Sequence, residues 1–217
     1  LRKSFLIVLL VLALDQTSKF WVKTNMVLGE EFSVLGNWFL IHFTENNGMA
    51  FGMELAGPMG KLLLSLFRLF AIAALGYGLF WINKKKFHPG FIICVALVFA
   101  GALGNLIDSL FYGRIFSDSF GRVASIFPEN DGYAPIFYGR VVDMLYFPLI
   151  QGTFPSWLPI WGGEEFLFFR PVFNIADASI TSGMAIFLLF QKRFFPENKI
   201  NKQNDLQGDG TETSKKS

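Results

Sequence analysis

The chain has 217 residues, 52% of them hydrophobic and 27 of them Phe, and its mean hydropathy of +0.41 is too apolar for an ordinary soluble domain. A net charge of +2, with no basic stripe interleaved with aromatics, gives no footing for nucleic acid as a partner. The single cysteine, Cys94, excludes an intrachain disulfide, and the only two histidines, His42 and His88, are too far apart in sequence to suggest a Cys/His zinc site.

The apolar residues gather in runs of about 20, the length a helix needs to cross a hydrocarbon core about 30 Å thick. The first run, 4–22, follows Arg2 and Lys3 and leads into Asp15-Gln16-Thr17-Ser18-Lys19-Phe20-Trp21 rather than a small-x-small cleavage site. It is therefore expected to be a retained span, with an initiating Met expected before Leu1. The connection 23–59 carries Glu30, Glu31, Glu45 and Glu54. Within it, 31–44 is rich in Phe, Val, Ile and Trp between turn residues, which predicts a small strand platform. A second span, 60–82, is joined to a third, 91–112, by a link containing Lys84, Lys85 and Lys86.

The long connection 113–171 is of mixed charge. Tyr112-Gly113-Arg114, at its start, recurs further along it as Tyr138-Gly139-Arg140, and deleting one copy with the intervening stretch leaves a smooth sequence. That stretch reads as an insertion, a surface loop with no chemistry assigned. The tract 154–173 is packed with Trp and Phe and is expected to dip into the membrane interface. The fourth span, 172–191, is followed by Lys192 and Arg193. Residues 1–195 are expected to form one membrane-embedded domain, and 196–217 a disordered cytoplasmic tail.

The predicted fold is thus an all-α membrane protein of four transmembrane helices with a small extracytoplasmic β platform and outer-face loops, since the runs lack the alternation of barrel strands. Lys and Arg near the span ends place both termini in the cytoplasm and the two larger connections outside.

Ionisable residues within spans are unfavourable by about 2.5–3.5 kcal/mol each on insertion scales and so invite a functional reading. Asp15, Arg68, Asp108 and Asp177 all fall about 6–12 Å below the outer surface, counting rise per residue, and Asp143 lies in an apolar stretch on the same side. These residues offer carboxylates, without a Cys or a Ser/His arrangement at that level. Two carboxylates sharing a proton can activate water and protonate a leaving amine, because like charges about 3 Å apart do not both ionise easily.

Five motifs carry a family resemblance in order along the chain. They are Asp15-Gln16-Thr17-Ser18-Lys19, Glu45-Asn46-Asn47-Gly48-Met49-Ala50-Phe51-Gly52, Gly101-Ala102-Leu103-Gly104-Asn105-Leu106-Ile107-Asp108, Val141-Val142-Asp143 and Phe173-Asn174-Ile175-Ala176-Asp177-Ala178. With them the chain resembles lipoprotein signal peptidase (signal peptidase II) over essentially all of 4–193. The resemblance implies an aspartic endopeptidase with Asp143 and Asp177 as its catalytic pair, and with Asn46, Gly48, Asn105, Asn174, Asp108, Asp15 and Lys19 binding substrate or supporting the site. It also implies a diacylglyceryl-modified prolipoprotein as substrate, cut just before its lipidated cysteine, with membrane lipid as surroundings. Neither a metal nor a cofactor is expected, and the chain is expected to be a monomer in a bacterial inner membrane. Two departures stand out. Ser109 occupies the place where the family usually has Arg, with Arg114 or Arg140 the expected substitute, and the second connection is longer than the family pattern.

Plainer readings stand beside these. Asp15 and Lys19 suit an i,i+4 ion pair, Arg68 a structural partner for a carboxylate or lipid phosphate, Asp108 a helix cap, and Asn46-Asn47-Gly48 a turn. Intramembrane carboxylates also mark transport pathways, although no relay continues to the cytoplasmic side. A non-catalytic lipoprotein-binding factor would keep the fold without requiring both Asp143 and Asp177.

Overall fold

The computed structural model describes residues 1–47, 57–129, 131–148, 150–157, 159–160, 162–168 and 171–196; Gly48 and the tail after Pro196 lie outside them. The helices α1 (Arg2–Asn25), α2 (Gly57–Lys84) and α3 (Pro89–Ile107) account for three segments long and apolar enough to cross a membrane. The third of these, Pro89–Ile115, runs from α3 through a π turn, Asp108–Tyr112, into the short α4 (Gly113–Ile115). The last helix, α5 (Ile175–Phe194), is 20 residues long but is not among them. It carries Asp177, Ser179, Thr181 and Ser182 in its first turns and Gln191, Lys192 and Arg193 in its last.

The apolar surface of the helices points outward. Phe5, Leu6, Leu10, Phe67, Phe70 and Leu189 are each more than half exposed, which suits contact with hydrocarbon rather than water. Between the helices the packing is close. A Cβ on Gly101 of α3 would collide with the Ala176 carbonyl oxygen of α5, so only glycine permits this approach. At one end of the bundle Ser4 Oγ donates to Asn83 Oδ1 at 3.1 Å, and the His88 ring lies 5.1 Å from that of Phe194. The start of α1, the end of α2, the start of α3 and the end of α5 therefore meet there. They bring with them Arg2, Lys3, Lys84, Lys85, Lys86, Lys192 and Arg193.

The opposite end carries an antiparallel sheet in the order β1-β2-β3-β6, built from β1 (Glu31–Leu35), β2 (Phe39–Asn46), β3 (Val141–Tyr146) and β6 (Val172–Phe173). The β1–β2 hairpin falls where the strand platform is expected. A separate hairpin, β4 (Ile150–Thr153) with β5 (Glu165–Phe168), occupies much of the aromatic tract. Strand β6 takes the first two residues assigned to the fourth span, so that helix begins at Ile175 instead of Val172. The reason is local: Asn174 and Asp177 form a capping box, with Asn174 Oδ1 accepting from the Asp177 amide at 2.8 Å and Asp177 Oδ2 accepting from the Asn174 amide at 3.4 Å.

The segment between the Tyr-Gly-Arg copies lies largely at the surface, but two of its apolar residues turn inward. Phe116 and Ala124 are buried with Val22, Met26, Phe43, Tyr112, Val142 and Met144 in one core that joins α1, β2, β3 and the insertion. Burying these two side chains against the sheet and α1 fastens the insertion there, although Phe120 and Phe127 of the same segment stay exposed.

Candidate active site

Register brings the motifs together. Strands β2 and β3 pair Asn46 with Val141, Glu45 with Val142 and Thr44 with Asp143, while β3 and β6 pair Leu145 with Phe173. Asp143 thus lies beside β2, and Asn174 and Asp177 follow directly from β6 at the head of α5. The π turn adds Asp108, Ser109 and Tyr112, all buried.

Asn174, fully buried, touches both carboxylates that the motif pattern singles out, Asp143 through its side chain and Asp177 through its backbone amide. Its Nδ2 donates to Asp143 Oδ1 at 2.6 Å, while its Oδ1 accepts from the Asp177 backbone amide. Asn105 of α3 donates to Asp177 Oδ1 at 2.8 Å, and its Oδ1 accepts from Asn174 at 3.1 Å and from Lys19 Nζ at 2.8 Å. Asn46 donates to Asp143 Oδ2. Three asparagines therefore frame the two acids, each amide oriented by its partners. Asp143 is buried and Asp177 is half-buried. Burial, followed by the charge of Asp177, pushes the Asp143 carboxyl up to about 7 against its hydrogen bonds from Asn174 and Asn46 and the charge of Lys19.

Beneath this pair lies a dry ionic triad. Lys19 Nζ is 2.9 Å from Asp15 Oδ2 and 2.8 Å from Asp108 Oδ2, and all three side chains are fully buried. Asp15 Oδ1 accepts from the Ala176 amide at 2.9 Å, and Asp108 Oδ2 from the Val142 amide at 3.3 Å. The triad ties α1, α3, β3 and the head of α5 through charge-assisted bonds. Gly104 is needed beside it, because a Cβ there would sit 2.6 Å from Asp15 Oδ2. The ion pair expected for Asp15 and Lys19 is present, and Asp108 joins it. Asp108 also accepts from a side chain not singled out in the sequence: Gln16 donates to Asp108 Oδ1 at 3.0 Å and accepts from the Tyr112 hydroxyl at 3.2 Å.

Neither expected substitute for the missing arginine reaches Ser109. Arg114 pairs with Asp131 at the surface, and Arg140 pairs with Glu45 and Asp118. Arg68 of α2 does reach it: Nη1 donates to Ser109 Oγ at 3.3 Å, and Ser109 donates to the Asn105 carbonyl at 3.0 Å. The guanidinium comes from a different helix, which a short spacing argument along one helix could not find. His42, against Glu31 at the sheet's far edge, takes no part in this group.

A model of the family described as Signal peptidase (SPase) II matches residues 7–193. The chain is 53% identical over 188 residues to a lipoprotein signal peptidase of Porphyromonas gingivalis, covering 86% of this chain and 81% of the relative. It is 36% identical over 191 residues to that of Amoebophilus asiaticus, covering 86% and 76%. Among solved structures, a bacterial membrane enzyme determined by the in meso method at 1.9 Å superposes with a TM-score of 0.57 and 27% identity, over 87% of this chain and 92% of that one. A second, determined at 2.3 Å, has a TM-score of 0.58 at 24% identity and shares the fold.

Proposed function

The chain belongs to the signal peptidase II family, and from that premise we propose that it is an aspartic endopeptidase that removes the signal peptide of diacylglyceryl-modified prolipoproteins just before the lipidated cysteine. The observation that carries this reading is the single residue Asn174, whose side chain donates to the Asp143 carboxylate and whose backbone amide donates to that of Asp177. One residue bonded in this way couples the positions of the two acids.

In the proposed mechanism Asp143, raised to about 7 by burial and by its neighbour's charge, holds the proton. Asp177, more open to the surroundings, takes a proton from water as it attacks the scissile carbonyl. Asp143 then hydrogen-bonds the developing oxyanion and protonates the leaving amine. The pair titrates as a unit, so the division describes the reactive microstate. Asn105 and Asn46 hold the carboxylates apart from competing partners.

The basic end of the bundle supports a cytoplasmic position for both termini, with the sheet and the acids on the outer side. In this reading α5 is a fourth span whose polar first turns face the site instead of lipid. The substrate's acyl chains stay in the outer leaflet while its peptide enters between helices.

The test is cleavage of a lipidated prolipoprotein by the purified protein beside Asp143→Asn, Asp177→Asn and an unlipidated control. Wild type alone should cut, and only the lipidated substrate. Activity of a well-folded Asn variant equal to that of wild type would remove the dyad. Loss of activity on adding EDTA would argue for a metal enzyme instead.

A further inference from the structure

We propose that the insertion between the two Tyr-Gly-Arg copies is a positioning arm of the site, acting through the buried Glu45 to hold Asn46 against Asp143. The inference rests on the peptidase reading above. It begins from a second buried charge cluster, separate from the Lys19 triad. Lys23 Nζ, with a fully buried side chain, lies 2.5 Å from Glu45 Oε1, whose side chain is 2% exposed. The other oxygen, Glu45 Oε2, accepts from Arg140 Nη1 at 3.0 Å. The insertion closes the cluster at both cations: Ser119 Oγ accepts from Lys23 at 2.8 Å, and Asp118 Oδ2 from Arg140 at 3.2 Å. Tyr133, also of the insertion, accepts from the Arg140 amide at 2.7 Å, and its ring lies 5.0 Å from both Lys23 Nζ and the Arg140 guanidinium carbon.

The backbone fastens the arm as well. The Ser119 carbonyl accepts from Leu28 at 3.1 Å, and the Lys23 carbonyl accepts from Ala124 at 3.3 Å. The buried pair Lys23 and Glu45 is completed by the part-exposed Arg140 and Asp118, and withdrawing a partner loosens the others.

The geometry then leads to the dyad. Glu45 directly precedes Asn46, the last residue of β2, where the strand ladder ends and gives least support. Arg140 directly precedes β3, which carries Asp143. Clamping Glu45 to Arg140 and Lys23 therefore fixes the strand end from which Asn46 donates to Asp143. A hydrogen bond to an ionised carboxylate favours ionisation, so loosening Asn46 would make Asp143 keep its proton to higher pH. The charged or titratable groups that act on Asp143 are Asp177 and Lys19, and those around Glu45 are Lys23, Arg140, Asp118 and Tyr133.

The test uses full-length protein and lipidated prolipoprotein, comparing wild type, Asp118→Asn/Ser119→Ala, Asn46→Ala and the combination. The arm variant removes one hydrogen bond from the Lys23 ammonium and one partly exposed charge while leaving the Lys23–Glu45–Arg140 pairing in place, which the fold should survive; a melting curve in detergent checks this. The arm variant should lower kcat about tenfold with KM within about twofold, and move the alkaline limb of the pH profile upward. On top of Asn46→Ala it should cause no further loss, because both act through one bond. An arm variant with wild-type kcat and pH profile, or a loss that simply adds to that of Asn46→Ala, would overturn the inference and leave the peptidase reading intact. A folded wild type that cuts nothing would overturn both.

Discussion

At the scale of single residues, the two ionic groups of the site make different demands. Lys19 neutralises Asp15 and Asp108 where no water reaches any of them. Lys19→Met would leave two carboxylates buried without their cation, and such breakage is destabilising by about 3–5 kcal/mol. The measurement is thermal unfolding in detergent, and an unchanged midpoint would show that the triad contributes nothing to stability. For Asp143 the consequence is catalytic. If it supplies the proton, activity falls as pH rises through about 7, because its raised carboxyl is then ionised. A pH–rate profile checks the sign, since a rate still climbing well above that pH would assign Asp143 another role. Asp143, Asp177 and their asparagines were legible in the sequence as motif positions. Arg68 was legible by its depth but not its Ser109 partner, and the bonds of Gln16 and of the Glu45 cluster were not, because the partners lie on other helices or strands.

At the scale of elements, α3 and α5 hold the asparagine frame together. Gly101 lets α3 approach Ala176, which brings Asn105 within reach of Asp177. Gly101→Val would force the helices apart at a backbone contact. We expect at least a tenfold loss in kcat/KM with Asp143 and Asp177 untouched, since small misplacements of reacting groups are severe in their effect on rate. Full activity in that variant would mean the interface relaxes elsewhere. The insertion offers a second test. Asp118 is held below the usual carboxylate range, where burial opposes but the Phe120 amide and Arg140 prevail. A depressed carboxylate contributes stability above its unfolded pKa that is lost as pH falls through the folded one. As pH falls below the ordinary carboxylate range, amide protection in the insertion should therefore drop before protection in α3 does, and equal protection in both would contradict this. From sequence the insertion looked like a surface loop, because its polar, Gly- and Ser-containing composition masked the inward-facing Phe116 and Ala124.

At the scale of the whole molecule, the chain separates a basic end from an acidic site. If the positive end faces the cytoplasm, a cysteine placed at Lys85 in a Cys94→Ser background should react with an impermeant thiol reagent only from that side. One placed at Ser33, in the exposed strand β1, should react from the other. The reverse pattern would invert the proposed topology. Hydrophobic run length alone made the first three spans readable, because a bilayer imposes a minimum of apolar residues on any helix crossing it. The same rule served less well for α5, where the polar turns that build the site dilute the apolar run.

The sequence by itself determined that the chain is a membrane protein, roughly where its helices run, and which five motifs carry its family resemblance. Those properties reside in local composition and short spacing, which need no knowledge of how distant segments pack. Only the tertiary structure decided that one asparagine serves two acids, that Ser109 is met by an arginine from α2, and that the insertion closes a buried charge cluster beside Asn46. Each of these depends on contacts between segments far apart in the chain, set by strand register and helix packing. Pairwise geometry of that kind leaves no periodic trace along a single sequence.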